Sequence, residues 1–272
     1  MIGWIRNTFI VTLAFAGIRL DKFTNSRIDA LLLIFLGYAS HLLLVKYNTL
    51  QLSLVYFFIL FIIRYAYLFG GFIKNGFSGW LINKYGEEKA WNIYEALTSV
   101  MFFQRGLSFG LLTEATKWSL LNIAEPYLLQ MGITDILLFK YVCIAVGLIL
   151  VIIGFWVNIS ATLVIGLDTY YYKDLFLKRS IIDFKVEGPY KYFANPMYGI
   201  GQCSGYGAAL MLGSVEGIAA TLLNQVMMYI FYFVIEKPHI NNIVNKLKIN
   251  PIQKITISPV PIGRGSKETV TL

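Results

Sequence analysis

Charge is scarce in this chain. Only 14% of its 272 residues are Asp, Glu, Lys or Arg, against an ordinary share of about 25%. A soluble globular domain needs that missing charge for its surface, and a mean hydropathy of +0.63 points instead to a bilayer protein. Cysteine is almost absent. Cys143 and Cys203 both lie in apolar runs, where a thiol behaves as a small hydrophobe, so no disulfide framework can be built. Histidine is limited to His41 and His239, far apart, and no metal-ligand spacing results; no metal site is expected. Alternation of strands with helices is also missing, so Gly199-Ile200-Gly201 is no nucleotide fingerprint and a soluble Rossmann domain is excluded. No repeat of fixed period or inverted symmetry supports a transporter. The net charge of +8 has the sign for nucleic acid but the wrong surroundings, whereas an anionic headgroup surface fits both sign and hydrophobicity.

What is present is long apolar runs. A helix needs about 20 residues to cross the hydrocarbon, and continuous apolarity without alternation selects helices over a barrel. The candidate spans are 28–45, 52–69, 93–112, 136–159, 198–212 and 218–235, the fifth short and rich in glycine. The expected fold is therefore all-α, a polytopic membrane helix bundle. The first residues, with Arg6 and an apolar run after Phe9, suit a retained surface or spanning helix better than a cleaved leader. Arg64 in the second span is costly unless it snorkels or finds a partner. The third carries Glu95, Gln104 and Arg105, so it must face protein or an aqueous cavity, and Glu95 suits a structural pairing with an arginine.

The last two spans are separated only by Gly213-Ser214-Val215-Glu216-Gly217, and helices joined so closely run antiparallel. This C-terminal hairpin returns Glu236 to the face that holds Asn195 and Tyr198. Basic residues gather there too, from Lys173 to Lys191 and from Lys237 onward, which puts that face and the C-terminus in the cytosol by the positive-inside tendency.

Pro189 and Pro196 bracket Tyr190, Tyr192 and Phe193, with Tyr198 just beyond, and each proline holds its predecessor extended. The segment suits either an interfacial aromatic belt or a rigid rim that orients Asn195 and ring faces toward an amphipathic ligand. Gly199, Gly201, Gly205 and Gly207 allow close approach of a helix or of a flat ring. Glu236 stands at a helix C-terminus, where the dipole prefers a cation, so another interaction must hold it: Lys237, the wet rim, or a bound hydroxyl or ammonium. Asp174 follows Tyr170, Tyr171, Tyr172 and Lys173; it either pairs with Lys173 or Lys178 or, with the rings, receives a cationic amine.

Four short motifs in this order resemble the phospholipid methyltransferase family, particularly its phosphatidylethanolamine N-methyltransferases. They are Ala145-Val146-Gly147, Tyr171-Tyr172-Lys173-Asp174-Leu175-Phe176, Asn195-Pro196-Met197-Tyr198 and Glu236-Lys237-Pro238. The resemblance covers about 136–242, with Ala145 in place of a family glycine and Lys237 in place of a glutamate. Isoprenylcysteine carboxyl methyltransferases, a related family, usually carry Arg-His where this chain has Ala194-Asn195. The resemblance implies a methyltransferase-like membrane core over 131–242, an accessory bundle over 1–130 and a basic cytosolic tail over 243–272. It implies S-adenosylmethionine as methyl donor and, as partner within the bilayer, the amine headgroup of phosphatidylethanolamine or its partly methylated derivatives, in phosphatidylcholine biosynthesis. Asp174, Glu236 and Tyr198 are then the catalytic residues. Gly147, Tyr190, Asn195, Pro196, Tyr198, Gly199, Gly201, Glu236 and Lys237 are the donor-binding ones. The endoplasmic reticulum is implied for a eukaryotic source and the inner membrane for a bacterial one. The alternatives are a non-catalytic lipid-binding or assembly protein with the same bundle and a related isoprenylcysteine carboxyl methyltransferase, and no oligomeric partner is assigned.

Overall fold

Residues 2–20, 24–73, 76–132, 134–179 and 187–249 are described by a computed structural model of the chain. Much of the basic tail, including Lys254, Arg264 and Lys267, lies outside them, as does Lys185. Every regular element among the described residues is helical. In chain order they are α1 (Ile2–Phe15), α2 (Asn25–Lys46), α3 (Leu50–Phe72), α4 (Gly76–Tyr85), α5 (Glu87–Ala115), α6 (Ser119–Gln130), α7 (Ile136–Ile165), α8 (Leu167–Tyr170) and α9 (Lys173–Leu177), followed by α10 (Cys203–Met211), α11 (Val215–Phe231) and α12 (Lys237–Ile249). Short 3₁₀ turns cover Gly188–Lys191 and Ile200–Gln202, and a π turn, Tyr232–Glu236, joins α11 to α12.

Four helices among the described residues are long and apolar enough to cross a bilayer: α2, α3, α7 and the continuous run Val215–Ile243. The chain is thus an integral membrane helix bundle. The two other expected spans differ. At about 1.5 Å per residue, the nine residues of α10 reach about 14 Å, roughly half the hydrocarbon thickness. Pro196 and the loop and 3₁₀ turn around it take up the N-terminal half of the expected 198–212 helix. Helix α5 is long enough, but it is not among the apolar four, and its polar residues Glu95, Thr98 and Ser99 are buried against its neighbours.

Helix α5 is the hub, packed by α2, α3 and α4, while α10 lies along α7 and turns into α11. The turn is tight because Ser214 caps α11, its Oγ accepting from the Gly217 N–H at 2.8 Å. The α5–α6 junction is stitched to the same turn: Trp118 N–H donates to Leu212 O and Leu120 N–H to Gly213 O, both at 2.8 Å.

The α7–α10 contact is backbone against backbone. A Cβ on Gly154 would stand 2.2 Å from Ser204 N, and one on Gly207 would stand 2.4 Å from Gly147 O. Gly147, expected at the donor, therefore lies in this helix crossing, where its own Cβ would meet Gly207 O at 2.7 Å. Gly154→Ala is expected to force the helices apart and to cost about 1–3 kcal/mol, as overpacking does. Gly110→Ala, at a site with nothing within 4 Å, should be neutral or stabilising by up to about 1 kcal/mol. Unfolding of both variants in detergent micelles checks this, and equal stabilities would refute the close crossing.

The N-terminal end is held by charge. Glu95, with no exposed surface, accepts from both Arg19 and Arg27, each 4% exposed. Arg19 also reaches Asp168 at 3.2 Å, which in turn takes Lys173 at 2.7 Å. Lys173 is therefore joined to Asp168 rather than to its neighbour Asp174. Glu95 has the structural pairing that its full burial demands.

Candidate functional site

The tyrosine-rich segment after α7 divides its side chains between packing and cavity. Tyr171 and Phe176 are fully buried in an aromatic cluster with Trp91 and Tyr94, and the Tyr171 hydroxyl donates to Ala14 O at 2.7 Å. Tyr170, Tyr172 and Asp174 line a cavity of about 510 Å³. Tyr172 supports this division with a left-handed backbone (φ 68°), a conformation a bulky side chain holds only when its surroundings fix it.

The loop after Gly188–Lys191 forms the next wall. Its backbone cannot continue a helix at Pro196, so its carbonyls need donors from outside, and side-chain amides supply them. Asn158 Nδ2 donates to Gly201 O at 2.9 Å, Gln202 Nε2 to Met197 O at 3.0 Å and Gln225 Nε2 to Tyr198 O at 3.0 Å. Fixed in this way, Tyr190, Asn195, Pro196 and Tyr198 all face the cavity.

Glu236 enters from α11. The buried face of that helix runs through Thr221, Asn224, Met228 and Phe231, and at ordinary helical spacing Ile235 would continue it. The π turn Tyr232–Glu236 inserts one extra residue there: Ile235 still packs against the cluster of Met228 and Phe231, and Glu236 comes round beside it to the cavity. Its Oε1 accepts from the Tyr198 hydroxyl at 2.5 Å, and Glu236, His239 and Ile240 complete the cavity wall. The expected antiparallel return of Glu236 to Tyr198 is therefore present, with α10 shorter than expected.

Burial, reinforced by the Glu236 carboxylate, holds the hydroxyls of Tyr172 and Tyr190 well above the usual tyrosine range. Burial likewise pushes Tyr170 up to about 12. All three stay neutral near pH 7 and are available as hydrogen-bond donors, not as phenolate bases.

Of the residues expected at the site, Asp174, Tyr190, Asn195, Pro196, Tyr198 and Glu236 line one cavity. Gly199 and Gly201 lie behind this wall; a Cβ on Gly201 would meet Asn158 Oδ1 at 2.3 Å. Lys237 is exposed, with its ammonium 5.4 Å from the centre of the Phe233 ring. The cavity also takes Phe15, Arg64, Phe102 and Arg105 from the first half of the chain, together with Gln202 and His239. In the sequence the arginines stand out only as charges in candidate spans, and nothing in the periodicity gives them a common cavity.

Residues 142–246 match the family model for phospholipid methyltransferases. Similar curated proteins include the phosphatidylethanolamine N-methyltransferases of Botryotinia fuckeliana (29% identical over 117 residues, 42% of this chain and 11% of the relative) and Schizosaccharomyces pombe (28% over 171 residues, 61% and 17%). That of Kluyveromyces lactis is 29% identical over 97 residues, 36% of this chain and 11% of the relative. The chain thus spans only a small part of the length of these relatives. No solved structure matches it. Through the stretch that carries the loop, the hairpin and Glu236, the chain is related to the phospholipid methyltransferases at 24–29% identity.

Proposed function

We propose that this chain transfers methyl groups from S-adenosylmethionine to the headgroup amine of phosphatidylethanolamine or its partly methylated derivatives, at the cytosolic face of its membrane. One observation carries the reading. Asp174, Tyr190, Asn195, Tyr198 and Glu236, spread over some sixty residues of sequence, line a single cavity inside a membrane bundle, with Tyr198 bonded to Glu236. Its volume, about 510 Å³, lies in the range of about 300–1,000 Å³ typical of small-molecule sites.

The donor set suits a sulfonium and an amine together. Two carboxylates and several ring faces attract cations, while Tyr190, Asn195 and His239 offer polar partners for the remainder of the donor. When bound, S-adenosylmethionine supplies a methyl group already made electrophilic by its sulfonium. The chain supplies position and proton handling. Glu236, oriented by Tyr198, holds the donor end; Asp174, on the first turn of α9, faces the amine and accepts the proton that must leave before the nitrogen lone pair can attack. Alignment of the two in a closed cavity provides much of the remaining acceleration.

Purified protein in detergent, given labelled S-adenosylmethionine and separate ethanolamine, monomethyl and dimethyl phospholipids, should yield labelled lipid. Absence of both labelled lipid and photolabelling by a donor analogue would instead favour a lipid-binding protein that has lost the chemistry. Tyr198→Phe keeps the ring and removes the bond to Glu236, so turnover should fall about fivefold, equivalent to about 1 kcal/mol. Unchanged turnover would leave Tyr198 a packing residue.

A further inference from the structure

Four arginines lie within the helical bundle or its cavities, and they are treated in two different ways. Arg19 and Arg27 meet Glu95 and, for Arg19, Asp168. Arg64 and Arg105 have no carboxylate partner among the described residues. Arg64, 5% exposed, gives Nη1 to Asn224 Oδ1 at 2.6 Å and turns Nη2 toward Met228 Sδ at 3.5 Å, while its Nε has no partner. The Asn224 amide is itself engaged, accepting from the Tyr65 hydroxyl and donating to Gln202 Oε1. The Arg64 guanidinium therefore meets only neutral partners, and Arg105, exposed, lines the same cavity.

Their position gives this a chemical meaning. A second cavity of about 210 Å³ adjoins the first, and the two share Phe15, Arg64, Phe102 and Arg105. The smaller one adds Phe57, Phe61 and Phe109 but no carboxylate. The two arginines thus stand at the junction of the cavities, whereas Asp174 and Glu236 line only the larger. Uncompensated like charges in a bilayer are costly and mark a ligand of opposite sign. The combined space offers positive charge at one place, negative charge at another, and an apolar annex beside the positive one.

We propose that Arg64 and Arg105 bind the phosphodiester of a zwitterionic phospholipid whose amine lies at Asp174 and Glu236, with the phenylalanine-lined annex taking the glycerol end of its acyl chains. Assignment of the amine to the carboxylate end rests on the function proposed above. The arginine end stands on the cavity geometry. Planar guanidinium forks suit the paired oxygens of a phosphate. The polar chain from Arg64 through Asn224 and Gln202 to Met197 O ties this anion site to the loop that carries Asn195 and Tyr198.

Equilibrium binding in detergent tests the inference with two probes: a short-chain phosphatidylethanolamine, and the aminoethyl ether of the same diacylglycerol, which keeps the amine and lacks the phosphate. The unaltered protein should bind the phospholipid at least tenfold more tightly than the ether. Equal affinity would overturn the inference without recourse to any variant. Arg105→Gln should lower phospholipid affinity about ten- to hundredfold, as loss of a charge-assisted contact does, and leave the ether unchanged. Arg105→Lys should restore part of the loss. Weakened binding of S-adenosylmethionine with phospholipid affinity intact would mean that the arginines hold the donor's carboxylate, and would overturn it equally. Phosphate-dependent selectivity in a protein that transfers no methyl group would sink the proposed function and leave the arginine site standing.

Discussion

Replacing Glu95 with alanine will cost about 3–5 kcal/mol of stability, the penalty of leaving buried charge without its partner. Glu95 has no exposed surface, and two guanidinium groups that are each 4% exposed converge on it. Its removal leaves two cations facing each other where one anion had separated them. The comparison pair is Arg179 with Glu87, bonded at 2.8 Å but more than half exposed on both sides. Glu87→Ala should therefore change stability by less than about 1 kcal/mol. Replacing Arg19, Arg27 and Glu95 together with Met, Leu and Leu should recover much of the loss, because the charges are then gone and not stranded. Unfolding of the four proteins in mixed micelles decides the matter. A Glu95→Ala protein as stable as the original would mean that the cluster is hydrated.

Some of this was legible in the sequence, for identifiable reasons. Composition sufficed for an all-α membrane bundle, because only a few structures satisfy their backbone in lipid. The return of Glu236 to Tyr198 followed from a turn too short to allow any other path. Glu95 announced its pairing by being a carboxylate in a candidate span. What escaped was which side of an irregular segment each residue faces. Tyr170, Tyr171 and Tyr172 are identical as letters, yet Tyr171 is spent on packing while its neighbours line the cavity, because two short helices separated by a left-handed residue replace one regular period. The π turn that carries Glu236 inward changes the register by one residue and leaves no mark in hydropathy. Gly147 looks the same whether a helix or a ligand approaches it, and the approaching group is α10. Arg64 and Arg105 sit on different helices some forty residues apart, so only tertiary packing brings them to one junction.

Glu236→Gln should reduce methyl transfer about ten- to hundredfold while leaving the protein folded in the membrane. The side chain keeps its size and can still accept from the Tyr198 hydroxyl, now as a neutral amide, so the loop and the α11 terminus retain their contact. What disappears is the negative charge that the cavity offers a cation. A charge-assisted hydrogen bond is worth about 1.5–3 kcal/mol, and if it is made fully in the transition state the rate falls by the factor given. The split between binding and turnover identifies the partner. Loss of S-adenosylmethionine affinity in Glu236→Gln would place the sulfonium end there. Asp174→Asn, across the same cavity, should lower turnover with donor affinity kept if, as proposed, it takes the amine proton. The reverse pattern would exchange the two roles and keep the cavity as the site. A well-folded Glu236→Gln protein with undiminished donor affinity and lipid methylation would remove Glu236 from the chemistry and leave the π turn as a feature of packing alone.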